Sequence, residues 1–216
     1  MLGNHGRGLT KALFTNPALL LAKAGVTPNM LTVAGTAASI AAAVLTIPQG
    51  HFILAPILLT CLLVADSFDG ILARATGSSS AFGAFLDSTM DRLADGAVFA
   101  SIAMWAATHL APGPLRTWTI ALALTAVVLG AAVPYARARA ESVGAKASVG
   151  IAERTDRLVA IGLAALAVGL GAPTWVITAG LALVAAASLI TVIQRVLTVR
   201  TQLAGVPVGG RVGAAG

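Results

Sequence analysis

The sequence is short of charge. Only 10% of its 216 residues are charged, against 57% hydrophobic, and its mean hydropathy is +0.90. A soluble domain carries about 25% charged residues, so the composition excludes one and describes a chain built for a lipid solvent. Cysteine occurs once, as Cys61 in mid-run among leucines; a lone cysteine cannot staple the chain and reads as a buried packing residue. The three histidines, His5, His51 and His109, are too far apart for metal-ligand spacing, and the last two read as ends of spans. There are no Ser- or Gly-rich linkers, low-complexity tracts or internal repeats, which points to one domain. Acidic residues are scarcest of all. The chain has eight, and five of them (Asp66, Asp69, Asp87, Asp91 and Asp95) fall within residues 66–96.

The basic excess, +6 with a pI of about 10.8, raises nucleic acid as a partner. The Lys and Arg residues flank apolar runs, however, and no soluble motif accompanies them. They read as the charges that set topology in a membrane, with no nucleic acid involved. The N-terminal "PALLLA" is too short for a signal-peptide core, and no small-residue cleavage site follows it.

About 20 apolar residues cross the roughly 30 Å of hydrocarbon in a bilayer. On that measure the sequence predicts six transmembrane helices: 30–48, 52–74, 81–109, 115–136, 158–171 and 174–195, the fifth of them short. The fold expected is an all-α integral membrane domain over residues 30–200. A cytoplasmic segment, 1–29, precedes it, whose stretch 8–22 reads as a short interfacial helix or a flexible basic leader; a disordered tail, 201–216, follows. Thirteen of the fourteen Lys and Arg residues lie on one side of this arrangement, Arg116 being the exception. An even number of spans then puts both termini, and the aspartates, in the cytoplasm of a multi-pass cell-membrane protein.

Carboxylates at membrane depth cost about 2.5–3.5 kcal/mol each at a span centre, so they need a polar cavity, a cation or one another. Asp66 and Asp69 are i,i+3 at the end of one helix, and Asp87 and Asp91 are i,i+4 at the start of the next. Each pair projects from one helical face. The short "TGSSS" connection makes the two helices antiparallel neighbours, so the four carboxylates converge. They cannot all ionise without compensating positive charge. Oxygen-only ligands select Mg²⁺ or Mn²⁺, and two such ions form a clamp suited to displacement at phosphorus. Gly70, Ala73 and Gly83 line the carboxylate faces, which leaves room for a phosphate-bearing group; each also fits helix packing of the small-xxx-small kind. Asp95, one turn past Asp91, reads as a residue that orients a neighbour.

The pattern Asp66-x2-Asp69-Gly70-x2-Ala73-Arg74-x8-Gly83-x3-Asp87-x3-Asp91 resembles the signature of the CDP-alcohol phosphatidyltransferase family at every fixed position. The resemblance implies transfer of a phosphatidyl group from CDP-diacylglycerol to an alcohol with release of CMP. It implies two divalent ions, Mg²⁺ with Mn²⁺ as the other candidate, held by Asp66, Asp69, Asp87 and Asp91. It gives Asp91 the further role of general base, assigns Gly70 and Arg74 to the nucleotide diphosphate, and implies a homodimer. By analogy with relatives, Asn29, Met30, Leu31 and Thr32 line the cytidine pocket and Ser80 donates to the nucleotide. All five also fit a helix cap or turn.

The acceptor is addressed by a second, cationic cluster. Arg137 and Arg139 close the fourth span, Arg154 and Arg157 open the fifth, and Arg195 ends the sixth. Guanidinium forks bind phosphate bidentately, and a neutral alcohol needs no such cluster. These segments are similar to their counterparts in bacterial members of the family that use inositol 1-phosphate, and that resemblance assigns all five arginines to the acceptor phosphate. Arg137 stands where lysine is expected and Pro134 where a small hydroxyl residue is usual. Positive-inside topology, or local ion pairs with Glu153 and Asp156, are the other uses open to these arginines. The expected product is phosphatidylinositol phosphate. Glycerol 3-phosphate as acceptor, giving phosphatidylglycerophosphate, is the alternative. A cation transporter is the reading from another class, but its site would lie near the bilayer midplane in repeated halves, whereas these aspartates lie at span ends.

Overall fold

A computed structural model of the chain describes residues 25–75 and 77–204, without the side chains of residues 67–69 and 74–75. Six helices follow one another: α1 (Pro28–Thr46), α2 (Leu54–Ala75), α3 (Ala81–His109), α4 (Pro114–Ser142), α5 (Arg154–Gly169) and α6 (Trp175–Leu203). No strand occurs among the described residues. Local chemistry sets the helix starts. Thr27 caps α1 by accepting from the Met30 N–H, with Pro28 in the first turn, where its missing N–H costs nothing. Ser80 caps α3 by accepting from the Gly83 N–H at 3.0 Å. At α5 the Asp156 carboxylate accepts from the Glu153 N–H at 2.9 Å.

Four of the helices, α1, α2, α4 and α6, are long and apolar enough to cross a bilayer, so the chain is a multi-pass membrane protein. The others fall short for visible reasons: α3 carries Asp87, Asp91, Arg92 and Asp95 in its first half, and α5 has 16 residues. The burial pattern is that of a protein in lipid. Large apolar side chains such as Leu45, Val128, Leu163 and Leu183 face outward, while the interior combines alanines (Ala43, Ala55, Ala106, Ala123, Ala126) with a few large side chains such as Phe99, Ile102 and Leu181. In lipid, burial of an apolar side chain brings no hydrophobic gain, and small residues let the helix backbones approach and pack closely. Cys61, expected to be buried, is exposed for the same reason.

The helices form a closed ring in which each packs mainly against two neighbours, in the order α1, α2, α5, α6, α4, α3. Thr119 of α4 and Thr178 of α6 share a hydrogen bond of 2.7 Å, and a Cβ on Gly180 of α6 would stand 2.8 Å from that of Ala164 on α5. The seam between α2 and α5 is the loosest of the ring. An apolar cavity of about 400 Å³ lies behind it, bounded by α1, α2, α3 and α5, with Ile47 and Phe52 among its lining and Asp66, Asp95 and Arg154 supplying its charges.

Several helix boundaries differ from the sequence expectation. Helix α4 runs past residue 136 to Ser142, and α6 runs past 195 to Leu203. Residues 201–203, assigned to the tail, are therefore helical, and α1 begins two residues before the assigned boundary at 30. The extensions carry Arg137, Arg139 and Arg200. The interfacial helix expected at 8–22 and the tail beyond 204 lie outside the described residues.

Candidate active site

One face of the bundle gathers the carboxylates. Asp66 near the end of α2 and Asp87 and Asp91 at the start of α3 each bring a carboxylate oxygen within 4.8 Å of the other two, all three partly buried. Asp69 and Arg74, assigned to the metals and the diphosphate, lie outside the described side chains. Three convergent carboxylates with no sulfur or nitrogen donor fit a hard divalent cation such as Mg²⁺ or Mn²⁺. A small residue of α1 faces the cluster and was not legible beforehand: a Cβ on Gly35 would stand 3.8 Å from Asp66 Oδ1. Its signal was a glycine one turn after Leu31.

The candidate nucleotide contacts are partly assembled. A Cβ on Gly83 would lie 3.2 Å from Ser80 Oγ and 3.4 Å from Asn29 Oδ1, so Asn29, Ser80 and Gly83 meet beside the carboxylates. Ser80 does act as a cap, and this leaves its hydroxyl proton to donate elsewhere. Thr32 is buried and donates to the Pro28 carbonyl at 3.1 Å, Met30 is exposed, and Leu31 is half-buried. Gly70, one turn from Asp66 on α2, is half-buried.

Beside the aspartates lies a basic cavity of about 390 Å³ at the ends of α3, α4, α5 and α6; Asp91, Asp95, Arg137, Arg154, Arg157 and Arg195 are among its lining. Four of the five predicted arginines therefore meet there, although their sequence separations are large. Arg139 does not line it; its Nη1 donates to Ser142 Oγ at the end of α4. Arg137 pairs with Glu141 at 3.1 Å on an exposed turn. Arg195 is buried and donates through Nε to the Val149 carbonyl at 2.9 Å and through Nη1 to the Val133 carbonyl at 2.6 Å.

Arg154 and Arg157 take part in ion pairs, though not with the neighbours that sequence offered. Asp156 is used as the cap of α5. Instead Asp95, 5% exposed, accepts from both arginines: Arg154 Nε at 3.1 Å and Arg157 Nη2 at 2.9 Å. Arg157 Nη1 also reaches the Ala152 carbonyl at 3.3 Å. Its Nε is buried without a hydrogen-bond partner among the described residues and faces Gly130, where a Cβ would stand 3.8 Å away. Arg154 extends further into the cluster, placing Nη1 2.7 Å from Asp91 Oδ1 and 3.2 Å from Asp66 Oδ2. Its guanidinium thus joins three of the carboxylates. Arg92 lies at the edge, 4.0 Å from Asp91, and donates to the Ser88 carbonyl.

The loop that delivers these arginines is fastened to α6. Thr191 Oγ1 accepts from the N–H groups of Ile151 and Ala152, each at 3.1 Å, and Gln202 clamps the Lys146 backbone by accepting from its N–H and donating to its carbonyl. Gly150 crosses Thr191 so closely that a Cβ would lie 2.3 Å from Thr191 Cγ2.

Carboxylates fit for a divalent cation, joined to a cavity fit for an anion, define a metal-dependent site acting on phosphorylated substrates. The CDP-alcohol phosphatidyltransferase family model matches residues 25–199, and the chain belongs to that family. It is similar to the phosphatidylinositol phosphate synthases of Streptomyces avermitilis (40% identical over 210 residues, 94% of this chain and 84% of the relative) and Cutibacterium acnes (41% over 208 residues, 93% and 98%). Among solved structures, the Mycobacterium tuberculosis phosphatidylinositol phosphate synthase PgsA1 with CDP-DAG bound superposes with a TM-score of 0.82 at 34% identity, covering 88% of this chain and 94% of that one. The same enzyme in complex with manganese and citrate gives 0.81, also at 34% identity, covering 87% and 89%.

Proposed function

We propose that this enzyme transfers the phosphatidyl group of CDP-diacylglycerol to an inositol phosphate, giving phosphatidylinositol phosphate and CMP. The observation that carries the reading is the junction of the two clusters. The carboxylates that fit a metal and the arginines that fit an acceptor phosphate share one wall, formed by Asp91, Asp95 and Arg154. The names of the relatives agree with it.

In this reading Asp66, Asp69, Asp87 and Asp91 would hold two Mg²⁺ ions, with Mn²⁺ able to replace them. Divalent ions so held neutralise a diphosphate and act as Lewis acids toward it. Asn29, Met30, Leu31, Thr32, Gly70, Arg74 and Ser80 receive the nucleotide end of CDP-diacylglycerol. Its acyl chains fit the apolar cavity, entered from the side through the loose α2–α5 seam. Arg137, Arg157 and Arg195, with Arg154 beside them, draw in the acceptor phosphate and aim the hydroxyl at the diphosphate. Asp91 accepts the hydroxyl proton as the new phosphorus–oxygen bond forms and the bond to the CMP oxygen breaks. In this reading α3, despite its charges, and the short α5 cross the membrane together with α1, α2, α4 and α6, with both termini and the site on the cytoplasmic face, where nucleotide and inositol phosphate are dissolved. The working unit is a homodimer, on the family resemblance.

The test is CMP release by purified protein with CDP-diacylglycerol and Mg²⁺, with inositol 1-phosphate, glycerol 3-phosphate and free inositol compared side by side. Turnover confined to inositol 1-phosphate is the expected result. Turnover with glycerol 3-phosphate instead would keep the metal site and overturn the acceptor.

A further inference from the structure

Arg154 is common to the three parts of the site. It lines the basic cavity and the apolar one, and its Nη1 sits on Asp91 and Asp66, two of the carboxylates fit for a metal. Its neighbour one turn on, Arg157, has no freedom: its side chain is 3% exposed and held by Asp95 and the Ala152 carbonyl. The Arg154 side chain is 26% exposed and starts from the first residue of α5, next to a loop, so its end has room to turn. A divalent cation on Asp66 and Asp91 needs carboxylate oxygens that Arg154 Nη1 contacts, and it repels a guanidinium at that distance. The nearest destination that welcomes a displaced cation is the adjoining cavity, once a phosphate dianion lies in it.

We propose that Arg154 is shared between the two ligands: it bridges Asp66 and Asp91, yields their oxygens to a divalent ion, and turns onto the phosphate of the acceptor. Metal and phosphorylated acceptor therefore bind with positive cooperativity. By linkage each raises the affinity of the other by the same factor, within the usual range of about 5- to 150-fold. This rests on the proposed acceptor reading and adds to it an order of assembly, in which the acceptor site is completed by occupation of the metal site. Arg154 is then a positioning residue for the aspartates and a ligand for the acceptor at different stages.

The experiment is a Mn²⁺ titration of the full chain in lipid nanodiscs without CDP-diacylglycerol, so that nothing turns over, with free Mn²⁺ read by its paramagnetic resonance. Each titration is run alone and with inositol 1-phosphate, glycerol 3-phosphate, inorganic phosphate or free inositol. For the unaltered protein, inositol 1-phosphate tightens Mn²⁺ binding about tenfold and free inositol leaves it unchanged. In Arg154→Gln, Mn²⁺ alone binds more tightly than in the unaltered protein, because its competitor is gone, and the acceptor no longer alters it. Arg154→Lys, which keeps the charge without the fork, retains part of the coupling and serves if the glutamine variant does not fold. Coupling that survives in Arg154→Gln, or Mn²⁺ binding that weakens there, overturns the role of Arg154 and leaves the acceptor reading standing. If the unaltered protein binds Mn²⁺ but no phosphorylated compound shifts it, and direct binding of labelled inositol 1-phosphate is also absent, the acceptor reading falls and the coupling with it.

Discussion

Asp95 and Arg157 meet at 2.9 Å with side chains 7% and 3% exposed, joining α3 to α5 in the wall between the carboxylates and the basic cavity. Neither side chain could be buried alone. An ion pair replaced as a unit costs little, but removal of one member leaves a buried charge and costs about 3–5 kcal/mol. Asp95→Ala is expected to lower stability by about that amount, and Asp95→Asn by less, since the amide oxygen still accepts one hydrogen bond. Thermal loss of helical circular dichroism in detergent checks this. Equal melting of both variants with the unaltered protein would remove the pair from the account.

Asp91→Asn is expected to lower CMP release by about 10²- to 10⁴-fold, the usual contribution of a general base, with the fold unchanged. Single-turnover rates at saturating acceptor distinguish this from weaker binding. A fall in apparent affinity alone would assign Asp91 to the metals and not to the proton.

Removal of divalent ions with a chelator is expected to abolish turnover, and Mg²⁺ or Mn²⁺ to restore it, because hard oxygen donors select such ions. Turnover that persists through exhaustive chelation would contradict a metal role for Asp66, Asp87 and Asp91.

Thr191→Val keeps the shape of the side chain but removes the oxygen that accepts from Ile151 and Ala152. The Ala152 N–H, stranded in a buried place, costs about 1–3 kcal/mol, while that of the exposed Ile151 can turn to solvent. The loop before Arg154 and Arg157 should loosen, raising KM for the acceptor several-fold more than it lowers kcat. An unchanged KM would show that the arginines are positioned without this fastening.

Gly150→Ala meets both a left-handed backbone, φ +144°, and the 2.3 Å approach to Thr191. Overpacking of this kind costs about 1–3 kcal/mol. The checking measurement is again the melting temperature in detergent, and Gly144→Ala, in the same loop with φ +81°, separates backbone strain from the clash.

Much of the metal cluster was legible because it follows from local geometry. Spacings of three and four residues put carboxylates on one helix face, and a short connection sets two such faces opposite each other; Asp66, Asp87 and Asp91 converge accordingly. Helix ends were less legible. Apolar content marks a span but not where its helix stops: α4 runs on through Arg137 and Arg139 to Ser142, and α6 through Val196 and Leu197 to Leu203. The exposure of Cys61 was missed because a leucine run does not reveal which of its faces meets lipid.

The sequence by itself determined an all-helical membrane chain, the place of its acidic cluster and the existence of a basic one, since hydrophobicity, charge and helical period act over one or two turns. What each arginine touches was decided by the tertiary structure. Asp156 was the nearby partner, yet it caps α5. Arg154 instead reaches Asp66 across 88 residues, and Arg157 reaches Asp95 across 62. Ring closure brings α5 against the carboxylate ends of α2 and α3, and a buried guanidinium goes to whichever carboxylate the packing leaves unsolvated beside it.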